Sequence, residues 1–516
     1  MNNSAWSNSY ISIFYLLQFS QVVGVSWSLC QYPKEIEISL CHALSSVIPS
    51  NALGKILKLQ VLKISYCSSM KEVFETQGIN NSSNYVDEGT PPIPRQIDDV
   101  KHHVLKLPNL KILKIDGCDL VEHVFPFSTL ESLRQLEELM IKDCDAMKVI
   151  VKEECGGEQT ATSEVVVFGR LRSIKLINLP DLVGFYRGMN EFRWPSLHKV
   201  KIINCPQMMV FTPGGSRAPQ LKFVETILGK HSPECGFNFH ATNISQLQTR
   251  PPSLGHTTLC PATTSEGIPW SFHNLIESQV KFNAYVETII PSSELLQLQK
   301  LEKIHLRDNT WVELVFDALK GTDSAFDESE TVIKLPNLRE VELYRLAHLR
   351  YIWKHSPWTT FEFPNLTRVY IGDCKTLAHA FTSSMLGCLL NLQELHIIDC
   401  IRMEEVIVKD KNVVVEVEEE SDGKMNEIML PCLKSLKLDQ LPCLKGFCLG
   451  KENFSFPSMD ILSIKKCPSI MIFTKGSFVT PVLGEIEKSF GLFDVGEDDI
   501  NSFIKKKQEV GRCYLL

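Results

Sequence analysis

"LPNLKILKIDGCDLVEHVF" at residues 107–125 and "LEELMIKDCDAMKVI" at residues 136–150 decide the architecture of this chain. In the first, Leu110, Leu113, Ile115 and Cys118 occupy the key positions of the pattern LxxLxLxxC. In the second, Leu136, Leu139, Ile141 and Cys144 do the same, 26 residues later. The pattern or a close variant returns thirteen times, closing at Cys41, Cys67, Cys118, Cys144, Leu179, Cys205, Asn283, Asn309, Leu346, Cys374, Cys400, Leu441 and Cys467. Alternation within each copy sends Leu113 and Ile115 to one side of a short strand and Lys114 and Asp116 to the other. The closing residue stands where the chain turns away, where a buried Asn can bond turn backbone and a thiol packs as a weak donor.

Self-similarity of this kind is the signature of a leucine-rich-repeat solenoid. That fold is a curved α/β repeat with a parallel sheet on its concave face and short helices and irregular loops on its convex face. One repeat cannot cover its own apolar side, so stacking makes the array stable. Truncating one ladder leucine is expected to cost about 2–5 kcal/mol. Two copies depart from the pattern: Pro33 opens the first, and Ser278 stands where the copy ending at Asn283 wants leucine. Both predict weaker points.

The array contains a duplication. Residues 33–230 align with residues 275–491: "MKEVF" at 70–74 matches "VELVF" at 312–316, and "WPSLHKVKIINCPQMMVFT" at 194–212 matches "FPSMDILSIKKCPSIMIFT" at 456–474. The reading is therefore an apolar segment of no assigned role at 1–30, a repeat block at 31–230, a Ser/Thr/Pro-rich linker at 231–269, a second block at 270–491 and a tail at 492–516. Polar and acidic insertions, such as "KEECGGEQTATSE" (152–164) and "VVVEVEEESDGKMNE" (413–427), read as solvated loops.

The chain has 516 residues and a formal charge of −8, which argues against general nucleic-acid binding. Eight of its 17 cysteines close repeats, and the others form no CxxC pair and no Cys/His cluster with zinc-ligand spacing. Free buried thiols imply a reducing compartment, hence the cytoplasm or the nucleus. "YISIFYLLQF" at 10–19 is apolar but short and lacks a basic flank, so no stable membrane insertion is expected. The sequon at Asn365 abuts the ladder residue Leu366, where a glycan would disturb packing. There is no GxSxG elbow and no HExxH helix, and the histidines are scattered. The sequence therefore predicts neither an enzyme nor a cofactor.

Outward positions of the strands are the candidate partner-binding surface. In the first block Lys63, Lys114, Lys175 and Lys201 lie between the second and third ladder residues, with Lys142 and Lys199 beside them. In the second block the equivalent positions are His305, Glu342, Tyr370, His396, Lys437 and Ser463, a mixed and more aromatic set, with Tyr344 nearby. The lysines would meet an acidic surface, and the tyrosines would supply anchors. Trp311, Trp353 and Trp358 are further anchor candidates.

"EFPNLTRVYIGDC" (362–374), "TSSMLGCLLNLQELHIIDC" (382–400) and "CLKGFCLGKENFSFPSM" (443–459) give the chain a family likeness. It resembles the repeat region of plant intracellular disease-resistance receptors of the coiled-coil, nucleotide-binding, leucine-rich-repeat class, the large clustered family of composite plants. The likeness covers roughly residues 31–507. It implies a solenoid that senses a pathogen effector or a guarded host protein and restrains a nucleotide-binding (NB-ARC) module. No GxxxxGK[ST] phosphate loop is present in this sequence. Such a module is thus expected in cis or trans, and a stand-alone adaptor or a truncated receptor fragment is the alternative.

Overall fold

Alternating apolar residues produce the expected ladder. The computed structural model describes residues 4–7, 10–14, 32–75 (without 50–52, 54 and 55), 105–154, 165–233 (without 209), 274–280, 287–318, 331–355, 359–409, 427–480, 485–487, 501–502 and 504–505. The long insertions, Asn283, Trp358 and nearly all of the 231–269 linker lie outside these residues. Two compact units meet in sequence between Thr226 and Ile227, each with its own buried core.

In the first unit, the strands Glu35–Ser39, Val61–Ser65, Ile112–Asp116, Glu138–Lys142, Ser173–Ile177 and Lys199–Ile203 pair in that order, all parallel. One inner row runs Ile36, Leu62, Leu113, Leu139, Ile174, Val200, and a second runs Ile38, Ile64, Ile115, Ile141, Leu176, Ile202; all are buried. In the second unit, Leu275–Ser278, Lys303–Arg307, Glu340–Tyr344, Arg368–Gly372, Glu394–Ile398, Ser435–Asp439, Ile461–Lys465 and Glu485–Glu487 repeat the arrangement. Ser278 does occupy a ladder position: it pairs with Ile304 and is buried with no hydrogen-bond partner for its hydroxyl.

Twelve of these strands are followed by a left-handed residue immediately before the closing position. These residues are Leu40, Tyr66, Gly117, Asp143, Asn178 and Asn204 in the first unit, and Asp308, Arg345, Asp373, Asp399, Gln440 and Lys466 in the second. Only one is glycine, although the conformation costs other residues roughly 1–2 kcal/mol. The closing thiols fasten this turn. Cys41, Cys118, Cys144 and Cys467 donate to the carbonyls of Ser39, Asp116, Lys142 and Lys465, two residues back, at 3.3, 3.5, 3.2 and 3.1 Å. Burial pushes the Cys144 and Cys205 thiols up to about 12, so they remain donors. Asn309 uses its carbonyl differently, accepting the Trp311 backbone N–H at 2.8 Å.

A second staple is the asparagine immediately before the ladder leucine, which follows a proline in three of four copies. Asn109, Asn337, Asn365 and Asn391 each donate Nδ2 to a carbonyl of the preceding repeat: Leu57, Gln299, Pro336 and Pro364, at 2.7, 2.6, 2.6 and 2.6 Å. The Asn365 amide of the sequon is thus already engaged.

The opposite side of the repeats carries less helix than expected. 3₁₀ turns stand there, among them Phe127–Ser132, Ser292–Gln297 and Ser383–Cys388. The remainder is short parallel strands, such as Leu314–Ala318 against Tyr351–His355. Segments like "VELVF" are β-branched, aromatic and brief, which favours extended backbone. Their aromatic rings stack between repeats: Trp353 lies 4.7 Å from Phe316 and 5.0 Å from Phe363 between ring centroids. Trp353 is therefore core and not a surface anchor, whereas Trp311 is exposed.

A parallel sheet exposes unpaired backbone at its ends. Tyr10–Phe14, from the segment with no assigned role, pairs parallel with Glu35–Ser39, placing Ile11 and Ile13 in register with Ile36 and Ile38. Ser4–Ser7 then folds back antiparallel on it. Gly229–His231 likewise lies antiparallel on Leu275–Ser278, so the second unit recruits a strand from before the linker. At the other end Asn501 accepts the Phe473 N–H at 2.8 Å and donates to the Thr474 carbonyl at 2.9 Å, with Ile504 buried nearby.

Candidate recognition surface

Strand register aligns the outward residues into columns. In the first unit the central column reads Glu37, Lys63, Lys114, Met140, Lys175, Lys201, Glu225. Four of the candidate lysines are therefore brought together, half-buried along one face. They do not form a bare cationic stripe. Glu138, at the first position of its strand, holds Lys175 at 2.9 Å and Lys114 at 3.2 Å, one from each neighbouring strand. Glu225 holds Lys201 at 2.9 Å, and Lys142 lies 2.7 Å from Asp143 and 3.6 Å from Asp116. Burial disfavours ionisation of Glu138, but Lys175 and Lys114 outweigh it and hold the carboxyl below its usual range. Lys199 is exposed at the first position of its strand, and Lys63 faces Glu37 and Lys114 across the sheet.

In the second unit the central column reads His305, Glu342, Tyr370, His396, Lys437, Ser463. His305 Nδ1 lies 3.4 Å from Glu277 and Nε2 3.6 Å from Glu340, so the ring sits between two carboxylates beyond ordinary hydrogen-bond length. His396 Nε2 is 3.0 Å from the Ser435 hydroxyl; burial, with Lys437 beside it, lowers its pKa. Tyr344 and Tyr370 meet with ring centroids 6.4 Å apart. A Cβ at Gly372 would come within 2.8 Å of the Tyr344 ring, so a side chain there would displace the pair.

Sequence reasoning missed the strand-end charges around these tyrosines. Arg368 lies 3.1 Å from Glu340 and 3.4 Å from Glu394, and Lys303 lies 3.2 Å from Glu340. Arg307 pairs with Glu342. Arg345 stands over the Tyr344 ring, 5.0 Å from its centroid, and bridges Asp308 at 3.5 Å and Asp373 at 3.7 Å. Asp308, Arg345, Asp373 and Lys375 also line a shallow recess at this edge. For Lys303, Arg307 and Arg368 the signal was available, because positions two residues either side of the central column point the same way; Asp308, Arg345 and Asp373 lie past it, on the left-handed turn.

Among the described residues, no group of three or more His, Cys, Asp or Glu is arranged to hold a metal ion, and no helix is long and apolar enough to cross a membrane. The surface offers charge, hydrogen bonds and two phenols, which suits binding of another molecule.

Known proteins give a consistent picture. The family described as "Plant disease resistance protein RPS2-like, leucine-rich repeats" matches residues 25–106, 92–214, 262–401 and 383–477. A probable disease resistance protein of Arabidopsis thaliana is 29% identical over 136 residues, which is 26% of this chain and 14% of that protein. The matched region is thus a small part of that relative's length. Among solved structures, a leucine-rich cell surface protein of Faecalibacterium prausnitzii aligns over 95% of this chain and 93% of its own, at 8% identity and a TM-score of 0.17. The pneumococcal vaccine antigen PcpA aligns over 88% and 80%, at 10% identity and a TM-score of 0.14. Superpositions that loose carry no weight beside the family match. By its repeats the chain belongs to the leucine-rich-repeat family of RPS2-like plant disease resistance proteins.

Proposed function

We propose that this chain is the pathogen-sensing and autoregulatory repeat region of a plant intracellular immune receptor. It works in the cytoplasm or the nucleus, by binding and without catalysis. Its partners are a pathogen effector or a guarded host protein, and a nucleotide-binding module in cis or trans. The observation that carries this reading is the family match across both repeat blocks, together with a sheet face of aligned charged and aromatic side chains. The closing thiols support an intracellular site, because their hydrogen bonds to the strand-end turn need the reduced form.

Co-expression in leaf tissue tests it. The chain is supplied as a separate polypeptide with the coiled-coil and nucleotide-binding part of a receptor from the same family. The two should co-purify, and the cell death provoked by the isolated nucleotide-binding part should be damped. A folded chain that does neither overturns the autoregulatory reading and points to a free-standing adaptor.

A further inference from the structure

The two units present their charges at different heights. In the first, the lysines of the central column lie level with their acids: Lys114, Lys175 and Lys201 have side chains 26–36% exposed, beside Glu138 at 23%. In the second, cations stand at the strand ends and their acids lie beneath. Arg307, Arg345 and Arg368 are 53–57% exposed, whereas Glu340 and Glu342 are 18% and 17%. These half-buried glutamates thus form a floor that orients Arg307 and Arg368, while Glu394 also holds Arg368 and Asp308 and Asp373 hold Arg345 from the strand ends. Each guanidinium has five N–H donors and uses one or two on these acids, so donors remain for a partner.

These residues frame one patch over the strands Lys303–Arg307, Glu340–Tyr344 and Arg368–Gly372. Arg368 marks one edge, Arg307, Tyr344 and Arg345 lie along the other, and Tyr370 stands between. The two edges are four to five residues apart along the strands, or roughly 13–17 Å at about 3.3 Å per residue. Gly372 leaves the phenols room to lie over the sheet. Burial, with Tyr344 and Glu342 nearby, raises the Tyr370 pKa, so that phenol stays a donor.

We infer that this three-strand patch is a docking surface for an acidic, extended protein segment, whose carboxylates meet Arg307, Arg345 and Arg368 while its backbone crosses Tyr344 and Tyr370. The inference rests on the recognition role proposed above and names the chemistry of its partner. Arginine suits the task because its planar fork accepts a carboxylate in bidentate fashion. The attraction is local and works against the net charge of −8 on the whole chain.

Fluorescence anisotropy with the full chain tests it, using a labelled glutamate peptide and a lysine peptide of equal length. The glutamate peptide should bind and the lysine peptide should not, and raising salt should weaken the binding. The triple variant Arg307→Gln, Arg345→Gln, Arg368→Gln should weaken it at least about tenfold. Replacing Arg134 and Arg217 by Gln, two exposed arginines of the first unit outside the outward columns, should leave it unchanged. No binding of the glutamate peptide, equal binding of the lysine peptide, or a loss that follows Arg134 and Arg217 equally overturns the inference. The salt and peptide-charge comparisons need no variant, so a triple variant that fails to fold does not shelter it. Lost damping in leaf tissue with glutamate binding intact would remove the receptor role alone; intact damping without glutamate binding would remove this surface alone.

Discussion

Asn501 accepts the backbone N–H of Phe473 at 2.8 Å, in the place that a further repeat would fill. Elsewhere the same type of contact is made by backbone: Phe447 N–H donates to the Phe473 carbonyl at 2.9 Å. The side-chain amide of Asn501, which also donates to Thr474, therefore mimics one peptide unit and closes the array. Asn501→Ala should leave a buried N–H without its partner, at a cost of about 1–3 kcal/mol. Amide hydrogen exchange should show faster exchange at Phe473 and in the last repeat, with the first unit unaffected. Uniform protection in both units would show that the tail contributes nothing.

The left-handed turn gives a prediction in two directions. Lys466, at φ 50°, occupies it without the local hydrogen bonding that lets Asn tolerate the conformation. Lys466→Asn should stabilise the chain by up to about 1 kcal/mol. Gly117→Ala should destabilise by roughly 1–2 kcal/mol or more, since the φ of 63° strains a Cβ that also meets the Tyr66 ring at 2.6 Å. Denaturant melts of the two variants check both signs.

Thiol chemistry should separate the cysteines by place. Cys443 is exposed, whereas Cys41, Cys67, Cys118, Cys144, Cys205, Cys374, Cys400 and Cys467 are buried. A maleimide probe mapped by mass spectrometry should label Cys443 in the native chain and the closing cysteines only in denaturant. Because Cys144 and Cys205 are raised to about 12 from 9.0, the folded state binds more protons than the unfolded state above pH 9. Stability should therefore fall as pH climbs past about 9. Rapid native labelling of Cys144 would contradict its place in the turn.

Acid acts from the other side. His396 is depressed below 6.5 by burial and Lys437, so on acidification the unfolded chain takes up its proton first and stability is lost as pH falls through 6.5. Glu138 and Glu340 are held below 4.5, so their contribution is present above that pH and is lost as pH falls through their folded values. Chemical denaturation across pH 3–8 should show two declines, one near 6.5 and one below 4.5. Burial and Lys152 depress His123 in the same way, so His396→Gln should shrink the upper decline, the double variant with His123→Gln should erase it, and the lower one should remain.

The ladder was legible because two forces converge on it. Alternation fixes which side of a strand is buried, and the closing Cys or Asn marks each turn, so Leu113, Ile115 and Cys118 read directly as core. The end caps were harder to see. Tyr10–Phe14 has the apolar alternation of a ladder strand but no cysteine to close it, and Gly229–His231 pairs with a strand more than forty residues away. Lys175 stands at an outward strand position, yet its neutralisation by Glu138 depends on a neighbouring repeat 37 residues distant. Register across strands, and not composition along one, decides which charges survive at the surface.

The division of the buried clusters has a bearing on where the chain tolerates being cut. One apolar cluster ends at Val224 and the next begins at Leu228. A break placed in that interval severs neither cluster, so each half keeps its own finished interior, whereas a break inside either block would expose leucines packed against their neighbours.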